Sequence, residues 1–181
     1  MSAKEPLKFM CWSEFDVLAS LLTDKLTKAE VRPDVIIAIA RGGLVLATVL
    51  AHRLHCRSLG VLTIRRTLSD RPFSLPPNGI HLDLVALPEH HDHIETILLV
   101  DDIIGHGLTL SLAKRLLFER YPGKRIVLAA LVDDVGLGID PSAQIDPYLA
   151  AYEMADASWV VFPWESDPDG YERSDGQRNR A

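Results

Sequence analysis

Cysteine is scarce in this 181-residue chain: only Cys11 and Cys56 occur, in neither a CxxC pair nor a set with metal-ligand spacing. That excludes a disulfide-stapled framework as the source of stability and points to a reducing compartment. Long apolar runs are missing as well. No stretch approaches the roughly 18 consecutive apolar residues that span a bilayer, and the opening MSAKEPLKFM has no apolar core of the signal-peptide kind. The expectation is a cytoplasmic protein with no membrane partner. Cationic excess is lacking too, since 19 Lys and Arg stand against 25 Asp and Glu for a formal net charge of −6. Nucleic-acid binders neutralise phosphates with clustered basic residues, so nucleic acid is not an expected partner, whereas a small anion held locally stays open. The 48% hydrophobic content supports one domain with a substantial core.

The pattern along the chain alternates. SEFDVLASLLTDKL carries Phe15, Leu18, Leu22 and Leu26 on a helical stripe, with Ser13 as the expected N-cap and Glu14 and Asp16 in the first turn. VIIAIA (35–40) is an unbroken apolar run suited to a strand covered on both faces. It ends at RGG, and LVLATVLAHRL (44–54) reads as a helix before SLGVLTIRRT supplies a second strand, completing a βαβ unit. Residues 68–93 hold no period and predict a long flexible loop, with at most a short hairpin, of the kind that covers active sites. Then follow a strand over 97–103, a helix over 108–121, a strand over 125–132, a short helix around YLAAYEMA and a last strand in SWVVFPWE. The expected fold is α/β, a doubly wound and mostly parallel sheet with helices on both faces, as one domain over 1–165. The polar tail 166–181 is expected to be disordered.

In such sheets ligands bind beyond the carboxyl ends of the strands. Two motifs fall there. In ILLVDDIIGHGLTL (97–110) four apolar residues lead into Asp101 and Asp102, a costly pairing for a strand end unless a cation or hydroxyl-rich ligand lies beside it. Gly105 and Gly107 allow close backbone approach, the following helix offers unpaired N–H groups, and Thr109 and His106 add donors, which together suit a phosphate monoester. Taken alone, GHGLT is equally an ordinary glycine-containing turn, and the acids could be turn or capping carboxylates. At Arg41-Gly42-Gly43 a strand end again meets a helix start, a weaker site for a second anion such as pyrophosphate.

ILLVDDIIGHGLT resembles the phosphoribosyl pyrophosphate (PRPP) signature of type I phosphoribosyltransferases. IAIARGGLVLATVLAHRL is similar to the pyrophosphate-loop segment of the xanthine-guanine branch of that family, and SWVVFPWE to its C-terminal hood. The three matches stand in the family's order over about residues 10–165. The resemblance implies a transfer of the 5-phosphoribosyl group from PRPP, with Mg²⁺, and release of pyrophosphate. It implies that Asp101 and Asp102 bind the ribose hydroxyls directly or through Mg²⁺, and that Gly105, His106, Gly107, Leu108 and Thr109 hold the 5′-phosphate. Arg41, Gly42 and Gly43 would bind pyrophosphate, in a turn that in relatives often contains a non-proline cis peptide. Trp159 and Val160 would stack on and edge the acceptor, and Glu165 would help hold metal. The loop after Arg65 and Arg66 would be the lid, with Arg71 a further pyrophosphate contact. Relatives are commonly dimers or tetramers, so a homo-oligomer is expected.

Some positions depart from the purine-salvage pattern. Gly105 replaces the usual Asp that handles the acceptor's proton, His106 replaces Thr or Ser, and Leu108 replaces a glycine. The Lys that reads a 6-oxo group has no counterpart, Leu131 standing near its place. The acceptor is therefore expected to be a nitrogen heterocycle or amine other than a common 6-oxopurine. His106 is either an acid or base, or a phosphate-contacting or structural residue. A PRPP-binding regulator without transferase activity is the alternative. A phosphoacceptor receiver with Asp133 or Asp134 as acceptor ranks lower, because no suitable Lys follows. EHHDHIE (89–95) has metal-ligating residue types but reads as a solvated hinge, and Trp12 and Trp164 as packing residues.

Overall fold

The computed structural model describes residues 7–65, 81–88, 93–137, 146–156 and 158–165. Residues 66–80, with Arg66 and Arg71, residues 89–92 and the tail from 166 lie outside the described residues.

The elements run β1 (Leu7–Phe9), α1 (Trp12–Lys28), β2 (Val35–Ala40), α2 (Gly42–Arg53), β3 (Leu59–Arg65), β4 (His81–Ala86), β5 (Thr96–Ile104), α3 (Leu108–Arg120), β6 (Arg125–Asp133), a 3-10 turn (Val135–Leu137), β7 (Tyr148–Glu153) and β8 (Trp159–Val161). A six-stranded sheet has the order β4-β3-β2-β5-β6-β7. Every neighbouring pair in it is parallel except β3 and β4, which form the antiparallel pairing of a hairpin.

Period-two alternation explains why apolar runs such as VIIAIA need cover on both faces. Ile36 and Ala38 point into one core layer with Leu98 and Val100, covered by Phe15, Leu22 and Leu26 of α1 and Leu46 and Leu50 of α2. Val35, Ile37 and Ile39 point into the other layer with Ile97 and Leu99, covered by Leu110, Ala113 and Leu117 of α3. Helices therefore lie on both faces of a doubly wound sheet.

Three expectations are corrected. Within 68–93, read as a loop with at most a short hairpin, His81–Ala86 is a strand, β4, paired antiparallel with β3. YLAAYEMA is a strand, β7, whose parallel pairing with β6 aligns Leu128 with Tyr148 and Ala130 with Ala150; the partner strand overrides the helical tendency of its alanines. α1 begins two residues earlier than Ser13 predicts. Cys11 is its N-cap, its N–H donating to Glu14 Oε2 at 2.7 Å in a capping box, while Ser13 Oγ lies 2.9 Å from Cys11 Sγ. One element has no forerunner in the sequence reading: β1 pairs with β8 in a parallel two-stranded sheet. This sheet is the expected hood. Beside it Trp164 stacks on Phe162 at 4.8 Å and meets Phe15 edge-on at 5.4 Å, so Trp164 packs rather than facing a ligand.

Candidate functional site

The chain winds outward from β2 through β3 to β4 in one direction, and from β5 through β6 to β7 in the other. The switch point lies between β2 and β5, where a doubly wound sheet opens a crevice. The residues following β2 are Arg41 and Gly42, and the end of β5 carries Asp101 and Asp102.

These two rims touch. A side chain added at Gly42 would overlap the Asp102 carboxylate outright, and one at Gly43 would come within 2.5 Å of the Val100 carbonyl oxygen. Glycine is required at both positions because α2 starts directly against the β5 tip. The Ala40–Arg41 peptide is cis, the form the resemblance implies. Arg41 is the N-cap of α2, with its residue exposed, and no side chain caps the helix start.

The paired carboxylates are held by their own strand. The Asp102 N–H donates to Asp101 Oδ1 at 3.0 Å. Burial lifts the Asp102 pKa to about 6, a hydrogen bond with Asp101 opposes that rise, and the charge of Glu165 adds to it. Glu165 is thus near enough to repel Asp102, although it lies 63 residues further along (165 − 102). A local bond fixes it: the Phe162 N–H donates to Glu165 Oε2 at 2.8 Å. The hood thereby delivers a third carboxylate to the crevice.

Past β5, residues Gly105 to Thr109 turn into α3. Gly107 is the N-cap at φ 71, in the left-handed region that L side chains avoid, and no side chain caps this helix either. His106 and Leu108 are exposed, Thr109 is half-buried and Gly107 is buried. Two helix starts without side-chain acceptors therefore open on one rim, each with N–H groups suited to an anion.

Other predicted residues are distributed as follows. Arg65 ends β3, and its side chain is not among those described. Trp159 is half-buried in β8, whereas Val160 is 6% exposed and packs into the core layer beneath α1 and α2. In the His-rich segment, Glu95 pairs with Lys124 at 3.0 Å, and among the described residues no three His, Cys, Asp or Glu side chains converge on a metal position.

Sequence reasoning weighed the acidic pair at the adjacent strand tip only as a phosphoacceptor. Asp133, 3% exposed, accepts a hydrogen bond from the Tyr148 hydroxyl at 2.9 Å, and Asp134, 8% exposed, follows it. The signal was present, because LVDD at 131–134 repeats the ending of LLVDD at 98–102 one strand over.

Comparison with known proteins gives a consistent answer. The family model described as phosphoribosyl transferase domain matches residues 13–169. A xanthine-guanine phosphoribosyltransferase of Gluconobacter oxydans is 27% identical over 74% of this chain and 69% of its own length. An adenine phosphoribosyltransferase of Methylibium petroleiphilum is 32% identical over 60% of this chain, which spans only 56% of that relative. Among solved structures, a purine phosphoribosyltransferase from Pyrococcus horikoshii aligns with a TM-score of 0.67 at 25% identity, covering 90% of this chain and 95% of that one.

Proposed function

We propose that this chain, which belongs to the phosphoribosyl transferase family, transfers the 5-phosphoribosyl group of PRPP to a nitrogen heterocycle or amine other than a common 6-oxopurine. The observation that carries this reading is the contact between the Asp102 carboxylate and Gly42. It joins a diol-binding acid to an anion-binding helix start in one crevice, with the Gly105–Thr109 turn alongside.

The chemistry follows from where charge develops. As the bond from C1 of ribose to pyrophosphate breaks and the bond to the acceptor nitrogen forms, positive character grows on the sugar and negative charge on the leaving group. Asp101 and Asp102 accept hydrogen bonds from the ribose hydroxyls and face the positive side. Arg41 with the first N–H groups of α2 receives the pyrophosphate, and the amides from Gly105 to Thr109 grip the 5′-phosphate. Trp159 stacks on the acceptor, and Val160 supports it from the core side. His106, exposed beside the phosphate turn, contacts the phosphate rather than the acceptor nitrogen.

The donor set suits a hard cation. Asp102 ionises against burial and the charge of Glu165, and Mg²⁺ takes one or two carboxylates and completes its shell with water and phosphate oxygens. Asp101 and Asp102 would hold it, with Glu165 contributing nearby charge and not a third converging ligand, and when bound it would neutralise charge on the pyrophosphate.

The relatives' names divide between 6-oxopurine and aminopurine acceptors, and the substitutions at Gly105, His106 and Leu108 argue against the first. Calorimetric titration with PRPP and Mg²⁺, repeated on Asp101→Asn plus Asp102→Asn, tests the donor half. Equal heats from the two proteins would remove the proposal. A mass-spectrometric screen of heterocycles with PRPP tests the acceptor half. Binding without ribosylated product or pyrophosphate release would favour the regulatory alternative.

A further inference from the structure

The far end of α2 carries a cluster for which the transfer chemistry above has no use. α2 is 12 residues long, from Gly42 to Arg53, so its last turn lies roughly 18 Å from the Arg41–Gly43 turn at its start. There the helix, the turn after it and the first residue of β3 border a cavity of about 620 Å³, a size typical of small-molecule sites. Leu59 opens β3 and pairs with Ile36 near the start of β2, so this cavity sits at the amino ends of the parallel strands. The crevice lies beyond their carboxyl ends.

The lining has a donor side and an apolar side. His52, His55 and Arg57 supply imidazole and guanidinium N–H groups, and Ala51 and Leu59 supply apolar surface. No lining residue is acidic, in a chain whose formal net charge is −6. All three donor residues are exposed, and among the described residues no hydrogen bond or ion pair engages their side chains. Arg53 next to them is by contrast bonded to Asp16 and Ser20.

Basic residues at a helix C-terminus offset the macrodipole, which accounts for His52 and Arg53 in the last turn. That effect fades beyond the turn and leaves His55 and Arg57 unexplained. The carbonyls that would repel an anion here are already capped: those of Leu50, Ala51 and His52 accept the N–H groups of Leu54, Cys56 and His55 at 2.8, 2.9 and 3.4 Å. Asp34, the acid whose charge acts on Cys56, is engaged at the start of β5, its Oδ2 accepting the Glu95 and Thr96 N–H groups at 2.8 and 2.9 Å.

We propose that this cavity binds a small phosphate ester, its oxyanion on Arg57, His52 and His55 and its carbon body against Ala51 and Leu59. A guanidinium meets two phosphate oxygens in parallel and leaves the third for the imidazoles, whereas a carboxylate has only two oxygens for the same donors. The site is separate from the crevice and does not depend on the transfer reading.

Phenyl phosphate is the probe, titrated into the full chain and followed through the imidazole ring-proton resonances of His52 and His55. Each resonance is identified by its loss in His52→Gln or in His55→Asn, the latter because Asn tolerates the φ of 54 at that position. Inorganic phosphate and phenol, titrated in the same way, separate the two halves of the site. The expected result is saturable movement of both resonances, binding of phenyl phosphate at least tenfold tighter than of either half, and an at least tenfold loss in Arg57→Ala at unchanged Tm. Resonances that stay still, phenol or inorganic phosphate binding as tightly as phenyl phosphate, or undiminished binding by Arg57→Ala would each overturn the assignment. Should Arg57→Ala lower Tm, His55→Asn decides instead through the His52 resonance: a tenfold loss supports the site, and unchanged affinity removes it.

Discussion

Asp102 is held in a conflict between burial and function. Its carboxylate fills the space a Gly42 side chain would occupy, and burial with the nearby Glu165 makes its charge costly in the free protein. Asp102→Asn removes that cost while keeping the shape, so the variant should unfold at higher denaturant than the parent and yet bind PRPP with Mg²⁺ at least tenfold more weakly. A variant that is less stable, or that binds normally, would contradict this account of the site. Gly42→Ala should act differently, because its methyl displaces the carboxylate: stability falls by about 1–3 kcal/mol, as overpacking does, and PRPP affinity falls with it. Denaturant titration and calorimetry on the two variants separate these outcomes. At this scale the sequence was informative where residue type and spacing combine, as in Asp101, Asp102 and the Arg41–Gly43 turn. It named Asp134 without revealing that the residue is buried, because burial is not written in a residue's identity.

The anion sites of the proposed function would come from how elements begin. α3 depends on Gly107, whose φ of 71 turns the chain from β5 so that the first helical amides face the crevice. Gly107→Ala forces an L residue into the left-handed region at a cost of about 1–2 kcal/mol. In a chain of this size that lowers Tm by roughly 2–8 °C, and tilting the turn weakens PRPP binding beyond what the lost stability explains. Unchanged Tm and Kd would show that the turn tolerates the substitution and does not set the amides. The strands that shape this rim were legible because runs such as VIIAIA and ILLV need cover on both faces, and β2 has the bounds its run predicts. YLAAYE was not legible. Its alanines favour a helix, and its strand state comes from the ladder offered by β6, whose partner residues stand 20 positions earlier and which local pattern cannot reveal. β1 has the same origin on a longer scale, three residues that pair, among the described residues, with β8 at the other end of the domain.

For the whole molecule, the site acids set how stability responds to pH. In the protein free of metal and PRPP, burial raises the Asp102 pKa to about 6 from the 3.8 of an unperturbed carboxyl. The folded state therefore takes up a proton that the unfolded chain at the same pH still lacks. A carboxyl raised in this way contributes stability that is fully present below its unfolded pKa and is lost as pH climbs through the folded one. Between pH 8 and pH 5 the free protein should gain about 1 kcal/mol from this group. Asp134, raised by burial, acts in the same direction. Glu14 works the other way, since the Cys11 N–H holds its pKa below 4.5, and the capping contribution is lost only on acidification through that lower value. Under the proposed function PRPP with Mg²⁺ binds to ionised Asp102, so its affinity should decline over the same interval in which the free protein gains stability. Urea unfolding and PRPP titration at pH 8, 7, 6 and 5, on the parent and on Asp102→Asn, measure both trends. Opposed slopes in the parent and a flattened stability profile in the variant are expected. Parallel stability profiles for the two proteins would mean that Asp102 is not the acid whose burial this crevice imposes.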